Sequence, residues 1–214
     1  MIQIENLVKN FGKGDVLKGI NLSISKSERV MIVGGNGSGK TTLLRCIIGS
    51  YTYKGSVKVM DKEARKYKSE LAKHIAYVPQ LPPPMSMTVK QLIEFVCDIT
   101  GDDSEPIYEV LRQLKFEEAG IDRSFKRLSG GMQKKVLMAI ALGRNPDILI
   151  LDEPLAHIDP KSREIISSVV NAMPEETTVL FTSHREEKGS IMANRLIEMD
   201  NGEVIVDNKE YSNT

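Results

Sequence analysis

Residues 34–41, Gly34-Gly35-Asn36-Gly37-Ser38-Gly39-Lys40-Thr41, fit the spacing GxxxxGK[ST] at every fixed position. Each fixed residue has a physical reason. Glycines let the backbone turn its N–H groups inward, with no Cβ to block an anion. A helix starting after the loop adds its free N-terminal donors. Lys40 can reach β- and γ-phosphates, and the Thr41 hydroxyl can ligate Mg²⁺. The pattern says nucleoside triphosphate. It names neither the base nor the work.

A second group is Ile148-Leu149-Ile150-Leu151-Asp152-Glu153, four apolar residues ending in two carboxylates. A buried strand would carry that pair to the carboxyl edge of a sheet, where open α/β folds bind ligands. Asp152 is then expected to hold Mg²⁺, directly or through water. Glu153 is expected to orient and deprotonate the attacking water. The bland reading is a strand followed by an exposed acidic turn. The phosphate loop upstream favours the catalytic one.

A third group is Leu128-Ser129-Gly130-Gly131-Met132, ahead of a helical run from Gln133 to Leu142. Ser129 can cap that helix. Its hydroxyl and the glycine amides can also form a further anion site. One phosphate loop plus one more anion-binding turn suggests a nucleotide shared between two subunits.

These groups need a scaffold, and the periodicity supplies one. Ile2 and Ile4 read as a short strand, and Val16–Ile24 as a second. Arg29–Val33 is a nearly continuous apolar run, as in a strand of a parallel sheet. Thr41–Ile48 is helical and stops at Gly49. Ser56–Met60 and Ile75–Val78 read as strands. From Thr88 to about Phe116 the spacing is helical, with a break near Gly101–Ser104. Strands return at Ile148–Leu151 and Thr178–Phe181, with a helix from Pro160 to about Asn171 between them. Asn201-Gly202 is a type I′ hairpin dipeptide between two last strands. Strands alternating with helices predict an α/β sheet with a helical insert.

Composition excludes more than it assigns. The chain has 214 residues, of which 41% are hydrophobic, which suits one domain or one domain with an insert. Lys plus Arg and Asp plus Glu both number 29, and this zero net charge argues against a strong electrostatic hold on nucleic acid. Cys46 and Cys97 form no CxxC pair, so neither a zinc site nor a disulfide framework is expected. Both are expected to be buried free thiols. The N-terminus lacks the apolar core of a signal peptide. No stretch approaches the roughly 18 consecutive apolar residues of a membrane span.

Taken in order, GGNGSGKTT, the YVPQ segment ending at Gln80, LSGGM, ILILDEP, the Asp159 of HIDP, and FTSH ending at His184 give a resemblance over nearly the whole chain. The sequence resembles the ATP-binding subunits of ABC (ATP-binding cassette) transporters. The resemblance implies an α/β P-loop NTPase core, residues 1–84 and 132–214, with a small N-terminal antiparallel β region. Residues 85–131 would be a helical subdomain ending in the signature. It implies ATP and Mg²⁺ as cofactors, and a head-to-tail dimer, homodimeric or heterodimeric. Each ATP would lie between Gly34–Thr42 of one subunit and Ser129–Gly131 of the other. Phe11 takes the position of an aromatic that stacks on adenine. Gln80 would sense Mg²⁺ and the attacking water. His184 would contact the γ-phosphate and hold the transition state with Glu153. Asp159 would communicate across the dimer near the nucleotide.

The partners implied are transmembrane permease subunits, with the chain peripheral at the cytoplasmic face of the plasma membrane. Met132 stands where the family more often has Gln or Glu, and it leans the resemblance toward exporter-type cassettes. The other class is a soluble relative acting in translation, iron–sulfur assembly or DNA repair. A single phosphate loop and an insert without sustained heptads speak against it. Leu81-Pro82-Pro83-Pro84-Met85-Ser86-Met87 is either a polyproline surface turn or a docking surface. His74 and His157 read as ordinary surface or satisfied core residues.

Overall fold

The computed structural model describes residues 1–12, 14–156, 158–183 and 191–213. In chain order it runs β1 (Ile2–Asn10), β2 (Asp15–Ile24), β3 (Arg29–Val33), α1 (Lys40–Ile47), β4 (Lys54–Val59) and β5 (Lys62–Glu63). Then come α2 (Lys68–Leu71), β6 (Ile75–Val78), α3 (Val89–Thr100), α4 (Glu105–Gln113) and α5 (Gly130–Gly143). The rest is β7 (Ile148–Leu151), α6 (Pro160–Asn171), β8 (Thr178–Ser183), β9 (Arg195–Asp200) and β10 (Glu203–Asn208). Strands β2-β1-β4-β5 form an antiparallel sheet, and β10-β9-β3-β8-β7-β6 form a second sheet. In the second, β9, β3, β8, β7 and β6 are mutually parallel and β10 pairs antiparallel to β9.

The apolar runs behave as a two-faced sheet requires. Val30 and Ile32 of β3 and Ile148 and Ile150 of β7 enter one core, together with α1 and the antiparallel sheet. Met31, Val33, Leu149 and Leu151 point the other way, into a core shared with α3, α4, α5 and α6. The sheet is therefore buried on both sides, and its strands read as continuous apolar runs rather than alternations.

Several boundaries differ from the sequence reading. The first strand runs to Asn10, past Ile4, because a bulge resets its phase. Asn6 has φ 48°, the pairing shifts between Ile4 and Leu7, and Leu7 turns inward again. The short β5 and α2 were not foreseen. Cys46 is buried, but Cys97 is only half-buried. The predicted break in the helical stretch is real: α3 ends at Gly101 in a left-handed cap, φ 80°. Its start is a capping box, in which Thr88 and Gln91 satisfy each other's backbone N–H at 3.1 and 3.0 Å. The final hairpin has Asn201 at φ 46° and Gly202 at φ 84°, as a type I′ turn demands.

Candidate functional site

Parallel register brings the chemistry together. Val78 pairs with Leu151, Leu151 with Phe181, and Val33 with Ser183. The carboxyl ends of β3, β6, β7 and β8 thus share one edge, and Gly34, Gln80, Asp152 and Glu153 emerge there.

The phosphate loop closes on α1 through Gly39, whose φ is 103°. A Cβ at that position would lie 2.8 Å from Leu17 Cδ2 and 3.2 Å from Val16 O, and the left-handed φ strains any side chain there. Lys40 opens the helix and is buried, and its Nζ donates to the carbonyls of Gly34 at 2.8 Å and Gly35 at 3.2 Å. Burial lowers the Lys40 pKa, while the charges of Glu153 and Asp152 oppose that shift. Asn36, Gly37, Ser38, Gly39, Lys40, Thr41 and Thr42 line a cavity of about 160 Å³, which Gln80 and Glu153 also line.

Asp152 is fully buried. Its Oδ1 accepts from the Thr41 hydroxyl at 3.1 Å and the Thr182 hydroxyl at 2.9 Å. Its Oδ2 lies 3.5 Å from the Tyr77 hydroxyl. Burial pushes Tyr77 up to about 12, so it remains a donor at neutral pH. Glu153 sits in left-handed backbone, φ 49°, a conformation that a non-glycine residue holds only when its surroundings enforce it. Its N–H donates to Thr182 Oγ1 at 2.7 Å. Gln80 Nε2 donates to Glu153 Oε2 at 2.8 Å.

Two residues escaped the sequence reading. Thr182 bridges Asp152 and the Glu153 peptide, and it lies in the FTSH segment two residues before His184. Lys134 is buried and donates to four backbone carbonyls, those of Pro79, Gln80, Asp152 and Glu153, at 3.1–3.4 Å. Burial pulls its ammonium down to about 8, against the charges of Asp152 and Glu153. A signal for it existed: Lys134, Met138 and Ala141 share the buried face of α5 at helical spacing.

Other expected residues stand apart from the phosphate cavity. Phe11 is 51% exposed, meets Tyr51 edge-on at 5.2 Å, and has Lys9 Nζ 4.4 Å from its ring centre. Ser129 caps α5, its Oγ accepting from Met132 N–H at 3.3 Å, and the helix starts at exposed Gly130 and half-buried Gly131. Asp159 caps α6 by accepting from Ser162 N–H at 3.0 Å, and that bonding holds its carboxyl below its ordinary value. His184 and His157 lie outside the described residues. His74 pairs with Asp147, Nδ1 to Oδ2 2.7 Å, far from the site chemistry.

The donor set suits Mg²⁺. Thr41 hydroxyl, Asp152 carboxylate and Gln80 amide offer hard oxygen atoms, and the Thr41 and Thr182 hydroxyls hold the Asp152 carboxylate in place. Among the described residues no group of three or more His, Cys, Asp and Glu could hold a metal. A cation here needs the nucleotide's phosphates to complete its shell, as Mg²⁺ sites usually do.

A separate apolar groove of about 500 Å³ shares the segment after β6. Its walls include Arg45, Tyr51, Tyr77, Pro79, Leu81, Pro83, Met85, Leu92, Leu137 and Arg144. Met85 and Met87 both pack against the helical core, and only Met85 lines the groove.

The family described as ABC transporter matches residues 17–156. The chain belongs to the ABC transporter family. The linearmycin resistance ATP-binding protein LnrL of Bacillus subtilis is 33% identical over 96% of the chain and 68% of its own length. The L-cystine transport system ATP-binding protein TcyN of Escherichia coli is 32% identical over 95% of the chain and 88% of its own. The dimeric post-hydrolysis state of the ATP-binding cassette MJ0796, bound to ADP and Pi, superposes with a TM-score of 0.87. It is 25% identical and 99% of each chain is covered. The chain is thus an ABC ATPase domain, with the mixed α/β architecture and antiparallel N-terminal sheet of the family. Among the described residues no helix is long and apolar enough to cross a membrane.

Proposed function

We propose that this ABC ATPase powers transport by a separate membrane protein, through ATP-driven closure of a head-to-tail dimer. One observation carries the reading. The segment from Pro79 to Met85 gives Gln80 to the catalytic edge, and Pro79, Leu81, Pro83 and Met85 to the apolar groove. A partner seated in the groove therefore touches the segment that positions Gln80.

Within the site, the loop N–H groups and Lys40 hold the phosphates. Thr41, Asp152 and Gln80 would hold Mg²⁺, which when bound would neutralise charge on the phosphoryl oxygens. Glu153 accepts the proton of the attacking water, and Gln80 keeps its carboxylate in place. Phe11 stacks on adenine. Ser129, Gly130 and Gly131 of a second copy complete the phosphate shell, with Asp159 at the dimer contact and His184 at the γ-phosphate. The permease partner makes the chain peripheral at the cytoplasmic face of the plasma membrane, and Met132 favours the exporter type. MJ0796 is a dimer in its ADP- and Pi-bound structure, and LnrL and TcyN are named for resistance and transport. These likenesses support the reading.

The test is isolation of the tagged Glu153→Gln chain with ATP from detergent-solubilised membranes. A polytopic membrane protein should accompany it in stoichiometric amount, and Leu81→Asp should abolish that association while ATP binding persists. A chain that stays wholly in the soluble fraction, with no membrane protein bound, overturns the transport role in favour of a soluble ABC ATPase.

A further inference from the structure

Lys134 is a buried cation beside the site that the catalytic scheme leaves unused. Its Nζ lies 3.2 Å from Pro79 O and 3.4 Å from Gln80 O, at the end of β6. It lies 3.3 Å from Asp152 O and 3.1 Å from Glu153 O, at the end of β7. An ammonium has three N–H donors, so one of them is shared between two carbonyls. Every one of these acceptors is backbone, which makes the lysine a bracket between two loops rather than a partner of one side chain.

The bracket grips the two residues whose side chains meet. Gln80 Nε2 and Glu153 Oε2 are 2.8 Å apart, and both residues have their carbonyls on Lys134. Glu153 is held at both ends of its left-handed backbone, the N–H by Thr182 and the C=O by Lys134. Lys134 itself rides on α5, whose first turn carries Ser129, Gly130 and Gly131. A helix is stiff over this distance. A displacement of its first turn therefore moves the bracket, and the bracket moves Gln80 and Glu153 together.

We infer that Lys134 is a positioning residue for hydrolysis, which fixes the Gln80–Glu153 pair and ties it to the signature turn on the same helix. The inference rests on Gln80 and Glu153 being the catalytic pair. Nothing in it requires Lys134 to touch nucleotide.

Lys134→Met keeps the length and apolar stem and removes every donor. Misplacing catalytic groups by about 1 Å costs on the order of 10²-fold in rate. Steady-state ATPase should therefore show kcat lowered about 10- to 100-fold, with KM and direct ATP affinity within about 3-fold of wild type. Lys134→Gln, with two N–H donors, should recover part of that loss, and it serves if the methionine variant does not fold. In a Gln80→Ala background Lys134→Met should cost less than about 3-fold more, because residues acting as a unit are not additive. Wild-type kcat in both Lys134 variants, additive losses in the cycle, or a loss of ATP affinity matching the loss of rate would each overturn the inference. Gln80→Ala and Glu153→Gln are assayed alongside. If they too keep full turnover, the catalytic assignment falls with the inference. If they lose turnover while Lys134→Met does not, the inference alone falls.

Discussion

The side-chain amide of Gln80 donates a 2.8 Å hydrogen bond to Oε2 of Glu153. One residue follows β6 and the other follows β7, and the parallel pairing of those strands makes their ends neighbours. On the proposed scheme, a base held this way would meet its water in a fixed direction.

Glu153→Gln should keep ATP binding and lose turnover by about 10²–10⁴-fold, the usual contribution of a positioned base. It should also accumulate as an ATP-bound dimer in size-exclusion chromatography. Single-turnover hydrolysis at the wild-type rate would remove Glu153 as the base.

Thr182→Val removes the hydroxyl that joins Asp152 to the Glu153 peptide. It leaves a buried N–H without its partner, at a cost of about 1–3 kcal/mol. Both the denaturation midpoint and kcat should drop, and Thr182→Ser should restore both. Equal midpoints for the valine and serine variants would refute this role.

Gly143 lies where α5 crosses α4, and a Cβ there would sit 2.6 Å from Ile107 Cα. The neighbour is backbone, so the helices must part. Gly143→Ala should cost about 1–3 kcal/mol by overpacking. Urea unfolding measures it, and an unchanged midpoint would show that the helices separate freely.

Arg195 is 2% exposed and binds Asp207 through Nε and Nη2, both at 2.8 Å, and Glu28 at 2.6 Å. The Arg195 hydrogen bonds hold the Asp207 carboxyl below its ordinary value. A depressed carboxyl stabilises the fold above its unfolded pKa of about 3.9, and that stability is lost as pH falls through the folded pKa. Asp207→Asn should lower stability at pH 7 and flatten its fall below about pH 4. Thermal unfolding at several pH values tests both signs.

The glycine-rich loop, the carboxylate pair and the apolar strands were legible in the sequence. Local spacing encodes them: a glycine permits a turn, and an apolar run fits a strand buried on two faces. The helical insert with its break was legible for the same reason, since Gly101 supplies a left-handed cap that few other residues tolerate. The antiparallel β1 was shortened in that reading because its bulge at Asn6 breaks the alternation that a period of two detects.

What only the tertiary structure decided are contacts between distant positions. Thr182 reaches Asp152, and Lys134 reaches both Pro79 and Glu153, across sheet edges that no local pattern encodes. Phe11, Ser129 and Asp159 stand outside the phosphate cavity of this chain. The sequence alone determined where the glycine-rich loop, its lysine and the carboxylate pair fall along the chain. The parallel register of β6, β7 and β8 decided that Gln80, Glu153 and Asp152 lie at one edge, because only paired strands bring their ends within hydrogen-bond reach.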